Sequence, residues 1–125
     1  MLHHVSLGTN DTERARGFYD PVLDLLGLRL LKSDEAGIHY GTGDILFSLV
    51  VPTNAHAATA GNGTHIAFMA RNRRMVDEFH ALALSNGGRS DGAPGIRLEF
   101  DPNYYAAFVL DPDGNKIEAV TLAAE

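Results

Sequence analysis

The sequence predicts an α+β fold built from two copies of a βαβββ unit, and three observations carry that prediction. Placing His4-Val5-Ser6-Leu7 over His65-Ile66-Ala67-Phe68 also brings Asp11 over Asn72, Phe18 over Phe79 and Gly27 over Gly88. Apolar residues alternate with others in residues 2–8 and again in 64–70, as a half-buried strand requires. Each alternating run is followed by a polar capping residue, an apolar stripe at helical spacing and a glycine.

In the first copy, Val5 and Leu7 are the inward residues of the opening strand. Asn10 or Asp11 then starts a helix, because either side chain accepts a bond from an orphan N–H. Ala15, Phe18, Val22, Leu25 and Leu26 form its apolar stripe, and Gly27 supplies the left-handed stop. Pro21 lies inside the stripe. Either it kinks one helix, or Asp20 caps a second short helix with Pro21 at its first position. Three strands follow, over residues 28–32, 37–41 and 45–51. Residues 55–63 are small, polar and glycine-rich, so they read as a connector.

The second copy repeats the plan. Asn72 caps a helix whose stripe is Val76, Phe79, Leu82 and Ala83, and Gly87-Gly88 stops it. Strands over 104–110 and 116–122 are joined by the turn Asp111-Pro112-Asp113-Gly114-Asn115. Residues 89–101 are rich in glycine and proline and give a poor strand signal. The expectation is one domain, with module 1 at about residues 1–54, connector 55–62 and module 2 at 63–125. Its mixed or antiparallel strands should form a cup-shaped sheet with the helices on the outer face.

Composition excludes several roles. The 125 residues carry a net charge of −6 without a basic block, so a nucleic-acid partner is not expected. There is no cysteine, which removes disulfides, thiolate metal sites and thiol nucleophiles. The start of the chain lacks a signal-peptide pattern, and no apolar run approaches the ~20 residues that span a bilayer. The expected setting is cytoplasmic, away from membranes, with a small molecule as partner.

Strand alternation sorts the side chains. With Val5, Leu7, Ile66, Phe68, Ile117 and Ala119 turned towards the helices, His4, His65 and Glu118 must occupy the opposite face. Two imidazoles and a carboxylate from three strands, with coordination positions left open, suit one divalent metal among Zn, Mn, Ni, Co and Fe.

These motifs carry a resemblance. His4-Val-Ser-Leu, the following Asn-Asp, Phe-Tyr and Leu-Gly pairs, Thr64-His65-Ile-Ala-Phe and Asp111-Pro-Asp-Gly-Asn-Lys-Ile-Glu118 resemble the vicinal-oxygen-chelate superfamily of glyoxalases, bleomycin-resistance proteins and dioxygenases. The likeness runs over essentially the whole chain. It implies paired βαβββ modules, a metal in the cup on His4, His65 and Glu118, and commonly a homodimer. Aligning the hairpin turns Gly43-Asp44 and Gly114-Asn115 brings Phe47 over Glu118. Glyoxalase I-like members tend to place a fourth, carboxylate ligand near there, which a phenyl ring cannot replace. Phe47 is then a substrate-contact candidate, with Ser48 on the opposite face. The three-ligand pattern instead resembles fosfomycin-resistance thiol transferases and the metal site of extradiol dioxygenases.

Further site candidates surround the trio. Arg97, in the glycine- and proline-rich loop 92–102, suits an anionic or oxygen-rich substrate. If Leu110 lies opposite Lys116, then Phe108 faces Glu118 and Tyr104 shares that side; a one-residue slip would exchange Tyr104 for Tyr105. One of His39 and Tyr40 must face the cup. Tyr104 and His39 are the candidate proton carriers, and His3, His56 and His80 are not assigned to the site. The expected function is a metal-dependent lyase, isomerase or transferase that chelates neighbouring substrate oxygens. The alternatives are a fosfomycin-resistance-like thiol transferase and a metal-free sequestering protein of the bleomycin-resistance type.

Overall fold

Two copies of the same strand–helix–three-strand order make up the chain in a computed structural model that describes residues 1–125. The first holds β1 (Val5–Gly8), α1 (Thr12–Leu25), β2 (Arg29–Ser33), β3 (Gly37–Gly41) and β4 (Ile45–Val50). The second holds β5 (His65–Met69), α2 (Arg73–Ser85), β6 (Arg89–Ile96), β7 (Tyr105–Leu110) and β8 (Lys116–Thr121). Each copy forms its own four-stranded mixed sheet, ordered β1-β4-β3-β2 and β5-β8-β7-β6. The parallel pairs are β1–β4 and β5–β8; hairpin-connected neighbours run antiparallel. This is the duplicated α+β architecture. No helix is long and apolar enough to cross a membrane.

The helices begin and end for local reasons. Asp11 caps α1 by accepting from Arg14 N at 3.0 Å, and Asn72 caps α2 by accepting from Met75 N at 2.9 Å. Gly27 and Gly87 take the positive φ at the two stops, and the next N–H reaches back to Leu23 O and Ala83 O. Pro21 sits inside a single α1. The carbonyl it leaves unpaired belongs to Gly17, which is exposed, so water can satisfy it.

β6 forms where residues 89–101 carry a poor strand signal. It is an edge strand, which tolerates Pro94, and its pairing with β7 shifts register twice, between Ser90 and Gly92 and between Gly92 and Gly95. Those bulges erase the alternation by which a strand is read from sequence.

The core joins the halves. Ala15, Phe18, Tyr19, Val22 and Leu23 of α1 and Val76, Phe79 and Ala83 of α2 merge with Ile38, Leu49, Val109, Ile117 and Ala119 into one cluster. The sheets do not pair with one another, and the faces opposite this shared core turn outward. The turn Asp111–Asn115 fastens the halves together. Asp113 accepts from Thr9 Oγ1 at 2.6 Å, Asn10 N at 3.0 Å and Arg14 Nη2 at 2.7 Å. Tyr19 donates to buried Asp111 at 2.6 Å, and Asn115 Nδ2 donates to Gly8 O at 3.0 Å.

Candidate metal centre

Pairing of three strands builds the site. Parallel β5–β8 sets Ala67 beside Glu118, and antiparallel β7–β8 sets Leu110 opposite Lys116 and Phe108 opposite Glu118. Ile117 and Ala119 are buried in the core, so Glu118 takes the other face with His65 at the start of β5. His65 Nε2 lies 2.7 Å from Glu118 Oε1. Tyr104, immediately before β7, donates its hydroxyl to Glu118 Oε2 at 2.5 Å. Both oxygens of a carboxylate that is 1% exposed are thereby engaged. Burial, and then the bond to Glu118, push the Tyr104 phenol up to about 12. It keeps its proton near neutral pH and acts as a donor.

The third expected ligand stands elsewhere. His4 lies just before β1 in the other sheet, exposed, with Nδ1 2.9 Å from His3 Nδ1. No group of three His, Asp or Glu side chains within one chain is close enough together to hold a metal. The His65–Glu118 pair nevertheless fits a cation. Two ligands bound at ~2.1 Å and at right angles stand ~3 Å apart. The observed contact therefore needs only a slight opening to admit one.

The first sheet corrects two expectations. Val5 pairs with Phe47 and Ser6 with Ser48, as Ile66 pairs with Ile117 and Ala67 with Glu118. Ser48, not Phe47, is therefore the counterpart of Glu118. A register shift between Tyr40 and Gly41 adds a residue that turn alignment cannot see, and one residue exchanges the two faces. Phe47 is 2% exposed and packs in the core against Tyr19 and Phe68. Ser48 is buried and bonds His39 Nδ1 at 2.7 Å, so His39 shares its face while Tyr40 donates to Asp20 on α1.

Tyr105 is also corrected. Its hydroxyl reaches Asp77 of α2 at 2.6 Å, which places it on the helix side, away from Glu118. Arg97, just past β6, lies beside the site with its guanidinium over the Phe108 ring. Lys116, overlooked in the sequence, reaches the same ring. Its place opposite Leu110 in the β7–β8 hairpin was the available signal.

The chain matches the Glyoxalase/Bleomycin resistance protein/Dioxygenase superfamily over residues 1–119. A glyoxalase/bleomycin resistance protein from Albidiferax ferrireducens T118 has a similar structure, with TM-score 0.85 and 36% identity over 96% of this chain and 97% of that one. A lactoylglutathione lyase from Agrobacterium tumefaciens shares the fold, with TM-score 0.66 and 21% identity over 96% of this chain and 92% of that one. The uncharacterized protein YqjT of Bacillus subtilis is 26% identical over 95% of this chain and 97% of its own length. The repeated βαβββ order and the match along nearly the full length agree: the chain belongs to the glyoxalase/bleomycin resistance protein/dioxygenase superfamily.

Proposed function

We propose that the protein is a divalent-metal-dependent enzyme acting on a small, oxygen-rich molecule. In this reading His65 and Glu118 of one chain and His4 of a second copy hold the metal. The observation that carries it is the 2.7 Å contact between His65 Nε2 and a buried Glu118 whose other oxygen is held by Tyr104. A carboxylate buried to this degree costs several kcal/mol unless it is paired, and a cation is its natural further partner. A bound metal would supply Lewis-acid stabilisation to neighbouring substrate oxygens as negative charge develops on them.

The chain's own residues have separable tasks. Tyr104 orients Glu118 and retains its proton. Met69 and Leu122, both well exposed, lie with Ala67 and Val120 in an apolar groove that reaches Tyr104 and suits the non-reacting part of a substrate. Buried Ser48 fixes the His39 ring on the corresponding face of the first sheet, which makes His39 of the second copy, arriving with that copy's His4, the candidate proton carrier. That apolar groove also favours a second reading, metal-free sequestration of an apolar compound.

Metal binding measured on protein purified without added metal separates the two. The enzyme reading expects a metal that is lost in His4→Ala, His65→Ala and Glu118→Gln with the fold preserved. Mixing His4→Ala with His65→Ala chains tests the shared site. Random pairing restores one intact site in each mixed dimer, roughly a quarter of all sites. Should mixing restore none while wild type binds metal, the second copy is not the source of the third ligand. Stoichiometric ligand binding by metal-free protein, with no metal uptake, would establish sequestration instead.

A further inference from the structure

Three groups able to carry positive charge gather around Phe108. Arg97 Cζ lies 5.4 Å and Lys116 Nζ 5.0 Å from the ring centroid, and the His65 ring is centred 6.2 Å away. Because Phe108 is the cross-strand partner of Glu118, Arg97 and Lys116 border the His65–Glu118–Tyr104 centre. Two of them already have partners. Lys116 pairs with Asp91 at 3.1 Å and His65 with Glu118. Arg97 forms no ion pair; its one side-chain bond runs from Nη2 to Ala93 O at 2.7 Å. A guanidinium carries five N–H donors, so most of the fork is free.

The seat of Arg97 is built. A Cβ at Gly92 would stand 2.9 Å from Phe108 Cδ2 and 3.2 Å from Arg97 Nη2, and one at Gly95 would stand 3.1 Å from Arg97 Nη1. The two glycines thus clear the space in which the guanidinium rests on the ring. The Arg97 N–H donates to Tyr104 O at 2.7 Å, which fixes the arginine across the loop base from the tyrosine that holds Glu118. An arginine that merely faces solvent requires none of this. The surrounding chain, at net −6, makes an unpaired cation beside the site a local exception.

We propose that Arg97 anchors an anionic oxygen group of the substrate, which makes the substrate class a small carboxylate or phosphoryl compound whose other oxygens reach the His65–Glu118 centre. The proposal rests on that centre being the binding site. The bond to Ala93 O uses one N–H of the guanidinium, and the rest of the fork is open to a bidentate oxyanion, the geometry for which arginine is suited and lysine is not.

Calorimetric titration of the full-length protein tests this, with glycolate, its neutral analogue glycolamide and inorganic phosphate as probes, each with and without Zn²⁺. Glycolate, phosphate or both should bind and glycolamide should not; which anion answers identifies the group. Arg97→Gln should lose about tenfold or more in anion affinity, while Arg89→Gln, exposed at the far end of the neighbouring β6, should lose none. Gly95→Val, which crowds the guanidinium and leaves its charge, should weaken binding as well. Equal affinity for glycolamide, or an undiminished Arg97→Gln, overturns the anchor. Arg97-dependent anion binding by a protein that takes up no metal keeps the anchor and removes the metal centre; metal uptake with anion binding indifferent to Arg97 does the reverse.

Discussion

Tyr104 and Tyr105 are adjacent in sequence and opposite in role, so their conversion to phenylalanine separates the site from the scaffold. Tyr104→Phe removes the donor to Glu118 Oε2 and leaves that oxygen buried without a partner. A hydrogen bond to a charged group contributes about 1.5–3 kcal/mol, and the partial exposure of Tyr104 argues for the lower end. For a chain of this size that corresponds to a fall in melting temperature of roughly 5–8 °C. The carboxylate also loses the contact that orients it towards His65, and the loss of such an outer partner lowers metal affinity about 10–100-fold. Tyr105→Phe removes an exposed bond to Asp77 on α2, so it should cost well under 1 kcal/mol and leave metal affinity unchanged. Thermal unfolding of the apo proteins and competitive zinc titration of both variants measure the two effects. The reasoning is refuted if Tyr105→Phe weakens metal binding as much as Tyr104→Phe, because the faces assigned by the β7–β8 register would then be wrong.

Two further outcomes follow from the same geometry. Asp113→Ala abandons Thr9, the Asn10 N–H and Arg14 together, and should destabilise by about 2–4 kcal/mol in a denaturant melt, with most of it from the groups left unpaired, since Arg14 is half exposed. All four tyrosines have phenols raised above 10, Tyr19 and Tyr40 chiefly by burial, Tyr105 by its bond to Asp77 and Tyr104 to about 12. A raised folded value means that the neutral phenol is favoured in the native state. The stabilisation is therefore complete below pH 10 and is lost as pH rises through 12 for Tyr104, the others following the same direction. Phenolate absorbance from buried Tyr19 and Tyr40 should emerge only together with unfolding; either of them titrating freely at 10 in the folded protein would contradict this.

Where the chain keeps a strict period, its structure was legible. The alternation in β1, β5 and β8 assigned the faces of Val5, Ile66 and Ile117, and the Asn10-Asp11 pair, Asn72, Gly27 and the Gly87-Gly88 pair marked the helix ends, Asp11 and Gly87 proving to be the cap and the left-handed stop. The condition that Leu110 lies opposite Lys116 holds, and it delivered Tyr104 to Glu118. Bulges defeated the rest. In β6 they hid a whole strand, and at Tyr40/Gly41 one added residue exchanged Phe47 for Ser48. Gly88 carries two demands that sequence cannot separate. It follows the left-handed Gly87 at the helix stop, and a Cβ there would stand 2.6 Å from Phe18 Cε1 of the other half.

The relative placement of the halves was illegible for a different reason. Periodicity states which side of a strand is apolar, but the same residues are buried whether a helix meets its own half or the other. The turn Asp111–Asn115 decides the matter energetically. Its bonds to Thr9, Asn10, Arg14, Tyr19 and Gly8 tie the end of β1 and α1 to the β7–β8 hairpin, four of the five through the nearly buried carboxylates of Asp111 and Asp113. Bringing His4 across to His65 within one chain would require this grip to open, and hydrogen bonds to buried charge cost about 1.5–3 kcal/mol each when broken. In the proposed shared site a second copy presents its His4 to the outward face of the first while every one of those bonds stays closed. The sequence feature that most resembles the superfamily at its C-terminal end is on this argument a clasp, and its consequence is that His4 stays apart from His65 and Glu118 within one chain.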